Sequence, residues 1–531
     1  MTVAVTPDLI ASLVQKEYDA LPAKRKPAVR DNGIHEWVPL SGIVAQGKDD
    51  RLYCLSLATG MKCLPSSKLP QAQGNVLHDW HAEILAIRAF NRFLLEECRQ
   101  LALGGPSMTS PFLRRRTAEE MISPSSDRSS SGGRDCENVN NSSSSERERE
   151  SETCNYWHAQ PFAWREDVAL HMYCSEAPCG DASMELTMAA QTDASPWEIP
   201  IPPASPVPLS SSSSPPAGPT PTPTPTLPGR AYFSLLGAVR RKPSRGDAPP
   251  TLSKSCSDKL ALKQCTSLLS STTSLLVSPA YLRALILPAA QYDEVGCRRA
   301  FSDVVGEGRM ASLKTNRTWS STTTAAAITG GYEFHPFEVR TTDLEFKFSR
   351  REVARRAAAA ATTITTNTTD GTKGKTTAAS NLAVAWTAAP TSSSTSSPSS
   401  TTTTTTPPIR IATRTAKALE EATLGGTLQG RRKFDARGAS FASRRRLWGL
   451  AAEVARLLVL GGGGASSSST SAAVEIERAL MSVGAGAGNG RMYGEVKQCR
   501  LLAPRRRIKE DVRREALRGW VRNEGDDGFS L

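Results

Sequence analysis

Asp79-Trp80-His81-Ala82-Glu83-Ile84 is the stretch on which the reading of this chain turns. A histidine and a carboxylate two residues apart open a run in which Ile84, Leu85, Ile87, Phe90, Phe93 and Leu94 recur at helical spacing. The spacing predicts a helix from His81 to Glu97 with both polar groups at its start. Two distant stretches supply complementary chemistry: Pro178-Cys179-Gly180 and Ser255-Cys256-Ser257-Asp258-Lys259. One imidazole, two thiols and one carboxylate are the parts needed to hold a zinc-activated water and to move its proton.

Each candidate ligand falls at or near a predicted helix start. His81 follows Asp79, a plausible cap; Cys179 precedes Gly180-Asp181; Cys256 lies between Ser255 and Ser257-Asp258. The partial positive charge of a helix N-terminus favours thiolate. Three protein ligands leave a fourth position open, which is the catalytic rather than the structural zinc arrangement. Two residues on a helix differ in direction by about 200°, so Glu83 is not expected to be a fourth ligand. It is expected to lean over the open position and shuttle the proton. A His-x-Glu or a Pro-Cys-Gly turn is weak evidence alone; the ordered combination is specific. Cys54, Cys63, Cys98, Cys174 and Cys265 read as ordinary core thiols.

Around this constellation helix and strand signals alternate. Residues 6–21 read as helix, Trp37 to Ala45 and Leu52 to Thr59 as strands joined by a polar turn, and Val168 to Cys174 as a strand ended by Pro-Cys-Gly. Asp181 to Ala190 reads as helix, as does Lys259 to Leu269, capped by Ser257 and Asp258. Residues 474–531 read as mainly helical and basic. The succession predicts an α/β fold with a central mixed sheet flanked by helices. Four tracts, 104–157, 193–229, 353–408 and 461–473, are too rich in Ser, Thr, Pro, Gly or charge to offset their ordering entropy and are expected to be disordered insertions. The exception is Asn381 to Thr387, expected as a short strand.

The 531 residues carry 65 basic and 52 acidic side chains, a formal net charge of +13, which favours an anionic partner such as nucleic acid. Eleven scattered cysteines, an odd number, do not form a secreted disulfide framework. No signal core and no long apolar run is present, so no membrane span is expected, and free thiols suit the cytoplasm or nucleus.

The order His-x-Glu then Pro-Cys is the signature of zinc nucleobase deaminases, although Ala182 stands where their second Cys of Cys-x-x-Cys would be. The chain resembles the eukaryotic tRNA adenosine deaminases that convert the adenosine just 3′ of the anticodon of alanine tRNA to inosine, relatives of the double-stranded-RNA-editing deaminases. The matching segments are Leu57 to Cys63, Asp79 to Ile84, Ser175 to Ser183, Lys242 to Asp247, Ser255 to Leu260 and Tyr493 to Lys497. The resemblance implies one deaminase domain over residues 1–531, with the four insertions. It implies His81, Cys179 and Cys256 as zinc ligands, Glu83 as proton shuttle and tRNA as partner. It also implies a buried inositol hexakisphosphate served, directly or through a network reaching the zinc, by Asp79, Arg88, Lys259, Tyr493, Lys497, Trp520 and Asp527. On the residues alone, Arg88 and Lys497 read as solvent-facing. Ser244, Leu262, Lys263, Met61 and Arg522 depart from residues common in relatives at phosphate or ribose contacts. No double-stranded-RNA-binding domain is seen, so tRNA selection is expected to rest on the deaminase domain, with Arg444-Arg445-Arg446 and Arg505-Arg506-Arg507 tracking phosphates. A cytidine or nucleoside deaminase is disfavoured by the distance from Cys179 to Cys256, and a silent RNA-binding partner by the presence of Glu83.

Overall fold

A computed structural model describes residues 5–121, 159–190, 227–228, 235–242, 248–314, 331–364, 376–391, 418–461, 467–481 and 490–531. The first helix, α1 (Pro7–Asp19), is capped by Thr6. A hairpin follows, β1 (Leu40–Gln46) and β2 (Leu52–Thr59), and then α2 (Ala82–Leu103). Next come β3 (Ala169–Cys174), α3 (Cys256–Thr266), β4 (Ala284–Pro288), β5 (Glu338–Thr342) and α4 (Arg350–Ile364). The chain then adds β6 (Leu382–Thr387), β7 (Leu419–Leu424) and β8 (Thr427–Leu428). Helices α5 (Arg444–Gly461), α6 (Ser467–Leu480) and α7 (Ala503–Glu515) complete it.

The eight strands form one sheet in the order β5-β4-β3-β1-β2-β6-β7-β8. The pairs β5/β4 and β4/β3 are parallel and the rest antiparallel, so the sheet is mixed as expected. Strand alternation sorts the side chains onto two faces. Leu170, Met172 and Cys174 of β3 join Leu285 and Leu287 of β4 in the core shared with α2, α3 and the C-terminal helices. Tyr173, Ala284 and Ile286 face the other way, toward α1. Gly42 admits α1: a Cβ there would lie 2.6 Å from a Val14 methyl carbon. Phe90 and Phe93 of α2 are fully buried, each worth about 1.5–3 kcal/mol of transfer free energy.

Several boundaries differ from the sequence reading. The strand expected from Trp37 to Ala45 divides into His35–Trp37, paired with Thr377–Ala379, and β1. Helix α3 begins at Cys256 because Ser255, not Ser257 or Asp258, is its cap: Ser255 Oγ accepts from the Asp258 amide at 3.1 Å. Residues 104–121 of the first expected insertion are folded, with Leu113–Arg115 paired to Phe162–Trp164 and Phe112 stacked on Trp164. Its average composition hid the apolar pair Phe112-Leu113; residues 122–157 lie outside the described residues. The 353–408 tract holds most of α4, the strand Thr377–Ala379 and β6, which sits inside the sheet between β2 and β7. Helix α6 starts within the 461–473 tract. The remainder of these tracts, and nearly all of 193–229, lie outside the described residues. Arg518 to Leu531 is not helical but folds back, placing Phe529 on Tyr493 with ring centroids 4.9 Å apart.

Candidate metal centre

The end of β2 and the start of α2 are knitted together. The Ala82 amide donates to Gly60 O at 2.8 Å and the Trp80 amide to Lys62 O at 3.0 Å. Gly60 has φ +130°, and a Cβ there would lie 2.3 Å from Trp80 O. Asp79 Oδ1 accepts from the His81 amide at 3.0 Å, which fixes His81 at the helix N-cap.

Cys179 reaches this point on the turn that leaves β3. Gly180 has φ +107°, and a Cβ there would stand 2.3 Å from Ser255 Oγ, so only glycine lets the turn press against α3. Ser257 then staples the two. Its hydroxyl donates to Pro178 O at 2.9 Å and accepts from the Ala182 amide at 3.1 Å, while its own amide donates to Cys179 O at 3.0 Å. Asp258 anchors the base of α3 through Arg309 Nη1 at 2.6 Å and the Arg240 amide at 2.9 Å. The result brings ligand atoms of His81, Cys179 and Cys256 within 4.8 Å of one another, with Cys179 Sγ 3.8 Å from His81 Nδ1. One imidazole nitrogen and two sulfurs form a donor set suited to zinc. Cys63, Asp79 and His81 form a second such group that shares the histidine.

The surrounding groups favour one thiolate, that of Cys179. Lys242 is buried and donates to Asp79 Oδ2 at 2.8 Å and to Cys256 Sγ at 3.2 Å. Asp79 Oδ2 also accepts from Ser253 Oγ at 2.7 Å and from Lys259 Nζ. Burial raises the Asp79 pKa, but Lys242 and Lys259 overcome it and hold the carboxyl well below its usual range. The Cys256 hydrogen bond, with Lys242 and His81, draws Cys179 well below the usual thiol value against its burial. Burial, reinforced by that same neighbouring thiolate, pushes Cys256 up. Burial and Lys242 oppose charge on His81, yet Cys179 and Cys63 lift it to about 10, so a bound cation and a proton compete for the same ring. Glu83 is buried, and burial first, then the Cys179 thiolate, raises its pKa.

Behind this centre lies a concentration of cations. Arg88 donates through Nε to Ala442 O at 2.7 Å; burial and Arg444 push it down to about 10. Burial, then Arg505, Lys509 and Arg88, push Lys263 well below its usual value. Burial, then Arg505, Arg513, Lys497 and Arg444, do the same to Lys509. Lys254 falls to about 7 through burial, Lys259, Arg513 and Arg241. Trp520 is flanked by Lys254 Nζ at 5.6 Å and the Arg513 guanidinium at 5.3 Å, and Tyr493 by Arg444 at 5.6 Å and Lys497 at 5.8 Å. Asp527 accepts from Lys497 at 3.1 Å and from Arg444 at 3.4 Å, so it holds cations rather than meeting an anion.

His81, Cys179 and Cys256 therefore meet, with Glu83 beside them; Asp79 joins them through the His81 amide and Lys242, and Lys259 joins through Asp79. Arg88, Tyr493, Lys497, Trp520 and Asp527 belong to the neighbouring cationic region, and Arg88 and Lys497 are half-buried rather than solvent-facing. Lys242 and Ser253 carry no role in the sequence reading, because nothing in a Lys-Pro or Thr-Leu-Ser run announces that it will be buried against a distant Asp79. Lys509 escaped for the same reason, and Lys263 entered only as a departure from residues common in relatives. The two arginine triplets are corrected. Arg505 is buried and donates to Leu269 O at 2.7 Å, Arg506 donates to Lys497 O and Cys499 O, and Arg444 and Arg445 bind the C-terminal segment. Only Arg446 and Arg507 are exposed, because helical spacing turns their neighbours inward.

The residues of the site fall within a region that matches a known domain family. The profile of the adenosine-deaminase (editase) domain matches residues 56–124 and 137–394. The tRNA-specific adenosine deaminase 1 of Schizosaccharomyces pombe is 34% identical over 346 residues, 65% of this chain and 70% of that protein. Its Saccharomyces cerevisiae namesake is 31% identical over 284 residues, 52% of this chain and 58% of that protein. The Homo sapiens protein of the same name is 33% identical over 111 residues, 18% of this chain and 21% of its own length. With more than half its length matched by one profile around the His81, Cys179 and Cys256 cluster, the chain belongs to the adenosine-deaminase (editase) domain family.

Proposed function

We propose that this protein hydrolyses adenosine to inosine in tRNA, with alanine tRNA, next to the anticodon, as the expected substrate. The observation that carries the reading is the convergence of His81, Cys179 and Cys256 from three separate elements beside the buried Glu83. Names of the relatives support tRNA as substrate. His81, Cys179 and Cys256 would hold zinc, which when bound lowers the pKa of a coordinated water to about 7. Glu83 would take one proton from the attacking water and pass it to the purine ring, then move the second, from the hydroxyl now on C6, to the departing amine. Water adds at C6 and ammonia leaves. An anticodon loop presents its bases unpaired, which lowers the work of moving one into the pocket. Lys242 donates to both Asp79 and Cys256 and so ties the carboxylate to the ligand sulfur.

The cationic region behind the centre suits inositol hexakisphosphate. Burial of several lysines and arginines whose mutual repulsion lowers their own pKa values is unfavourable unless a polyanion compensates. Arg513 Nε and Arg505 Nε are buried there without a hydrogen-bond partner among the described residues, which fits a missing acceptor. In this reading residues 1–531 act as one deaminase domain. Among the described residues no helix is long and apolar enough to cross a membrane. The free cysteines suit a reducing compartment, cytoplasm or nucleus.

The test is inosine formation on alanine tRNA by the wild type and by Glu83→Ala, with zinc content measured on both. Zinc retained and activity lowered by about 10²–10⁴-fold is the expected result for a general acid–base residue. Equal activity of the two proteins would discard the mechanism.

A further inference from the structure

A polar cavity of about 130 Å³ opens at the end of the sheet away from the Cys179 turn. It is lined by Val5, Gln46, His171, Arg283, Ala284, Glu338 and Arg340. Strand register explains the grouping. His171 pairs with Val44 and Ala284, Ala284 pairs with Glu338, and Gln46 and Arg340 lie two residues along their strands. With a side-chain period of two, all five project from the α1 face. The turn to Cys179 leaves the carboxyl end of β3, whereas His171 lies nearer its amino end.

The lining carries unspent polarity. Arg283, Arg340 and Glu338 make no side-chain ion pair among the described residues. His171 is only 2% exposed. Its Nε2 faces Gln46 Oε1 at 2.9 Å, so Nε2 carries the ring proton. Nδ1 then presents a lone pair, and it is buried with no partner among the described residues. Burial, then Arg283 and Arg340, push this histidine down to about 4, so it is neutral near pH 7. A buried orphan acceptor costs about 1–3 kcal/mol unless something donates to it. The volume is far above the roughly 10–15 Å³ that one water requires.

Two guanidiniums, one carboxylate and a neutral imidazole leave the pocket with one excess positive charge. The ligand it fits is a singly charged oxyanion that also carries an O–H. We propose that this cavity binds a phosphate monoanion, either free dihydrogen phosphate or a singly protonated terminal monoester, with Arg283 and Arg340 donating to its oxygens and His171 Nδ1 accepting its P–OH proton. Sulfate, equal in shape but without a proton at neutral pH, leaves Nδ1 unpaired and is disfavoured.

The test is calorimetric titration of the full-length, zinc-loaded protein with sodium phosphate and, separately, sodium sulfate at pH 7 and matched ionic strength. Arg283→Gln, Arg340→Gln and His171→Phe are titrated alongside. Phosphate should bind at least about tenfold tighter than sulfate, and each arginine variant should weaken it by about tenfold, as loss of a charge-assisted hydrogen bond does. His171→Phe should erase the preference for phosphate. Arg283 is exposed, so its variant keeps the test sound should His171→Phe fail to fold. A 5′-mononucleotide arm identifies the source: competition with phosphate marks a terminal monoester, and its absence marks free phosphate. Equal affinity for phosphate and sulfate, or phosphate binding unchanged in both arginine variants, overturns the proposal.

Discussion

Lys242 shows how much one side chain decides here. It is buried between Asp79 and Cys256 and donates to both. Removing one member of a buried ion pair leaves the other charge without compensation. Lys242→Met should therefore destabilise the protein by about 3 kcal/mol, near the low end of such losses because Lys259 still pairs with Asp79. Denaturant unfolding measures the stability, and metal analysis should show weakened zinc retention, since the Cys256 thiolate loses its donor. Unchanged metal content would mean that Lys242 serves packing alone. His81 and Glu83 were legible in the sequence because their chemistry is local to one helix start. Lys242 was not, because its partners lie 163 and 14 residues away.

At the scale of elements, the turn after β3 and the first turn of α3 act as one unit. Gly180 allows them to touch and Ser257 holds them. Gly180→Ala combines a left-handed φ with a methyl group set against Ser255, so it should move Cys179 away from Cys256. Zinc stoichiometry should fall well below that of the wild type, with stability lowered by about 1–3 kcal/mol. Ser257→Ala should lower stability by about 1–3 kcal/mol through the unsatisfied Ala182 amide. Thermal unfolding and metal content read both. Full zinc occupancy in Gly180→Ala would show that the turn can close without glycine. The sequence announced a break at Pro-Cys-Gly. It gave no sign that Ser257 is the fastener, since its two carbonyl acceptors and amide donor belong to a segment more than seventy residues away.

For the whole molecule, the buried cations set the pH response. Lys254, with a folded pKa of about 7, and Lys263 and Lys509, also lowered, hold fewer protons in the folded state than in the unfolded chain. Where the unfolded state binds more protons, stability rises with pH, so this contribution grows from about pH 7 toward the free lysine value near 10.4. Below pH 7 the fold must carry the extra charge of Lys254. Protein stripped of polyanion should thus gain melting temperature from pH 7 to 10. Added inositol hexakisphosphate should raise the melting temperature most at the acid end and flatten the profile, with proton uptake on binding. A flat profile without the polyanion, unaffected by adding it, would remove the cationic region as its site.

The sequence by itself determined the helix that starts at His81, the two strands of the first hairpin, the break at Pro178-Cys179-Gly180 and even the late strand β6, because periodicity and turn chemistry act over a few residues. It also picked out His81, Cys179 and Cys256, which the fold brings together, and the buried Glu83. Only the tertiary structure decided which cations are buried, that Arg444 and Arg505 face inward rather than toward RNA, and that Phe112-Leu113 rescues part of a tract read as disordered. Those outcomes depend on which surfaces meet across the sheet, and burial, unlike periodicity, is a property of the partner as much as of the residue.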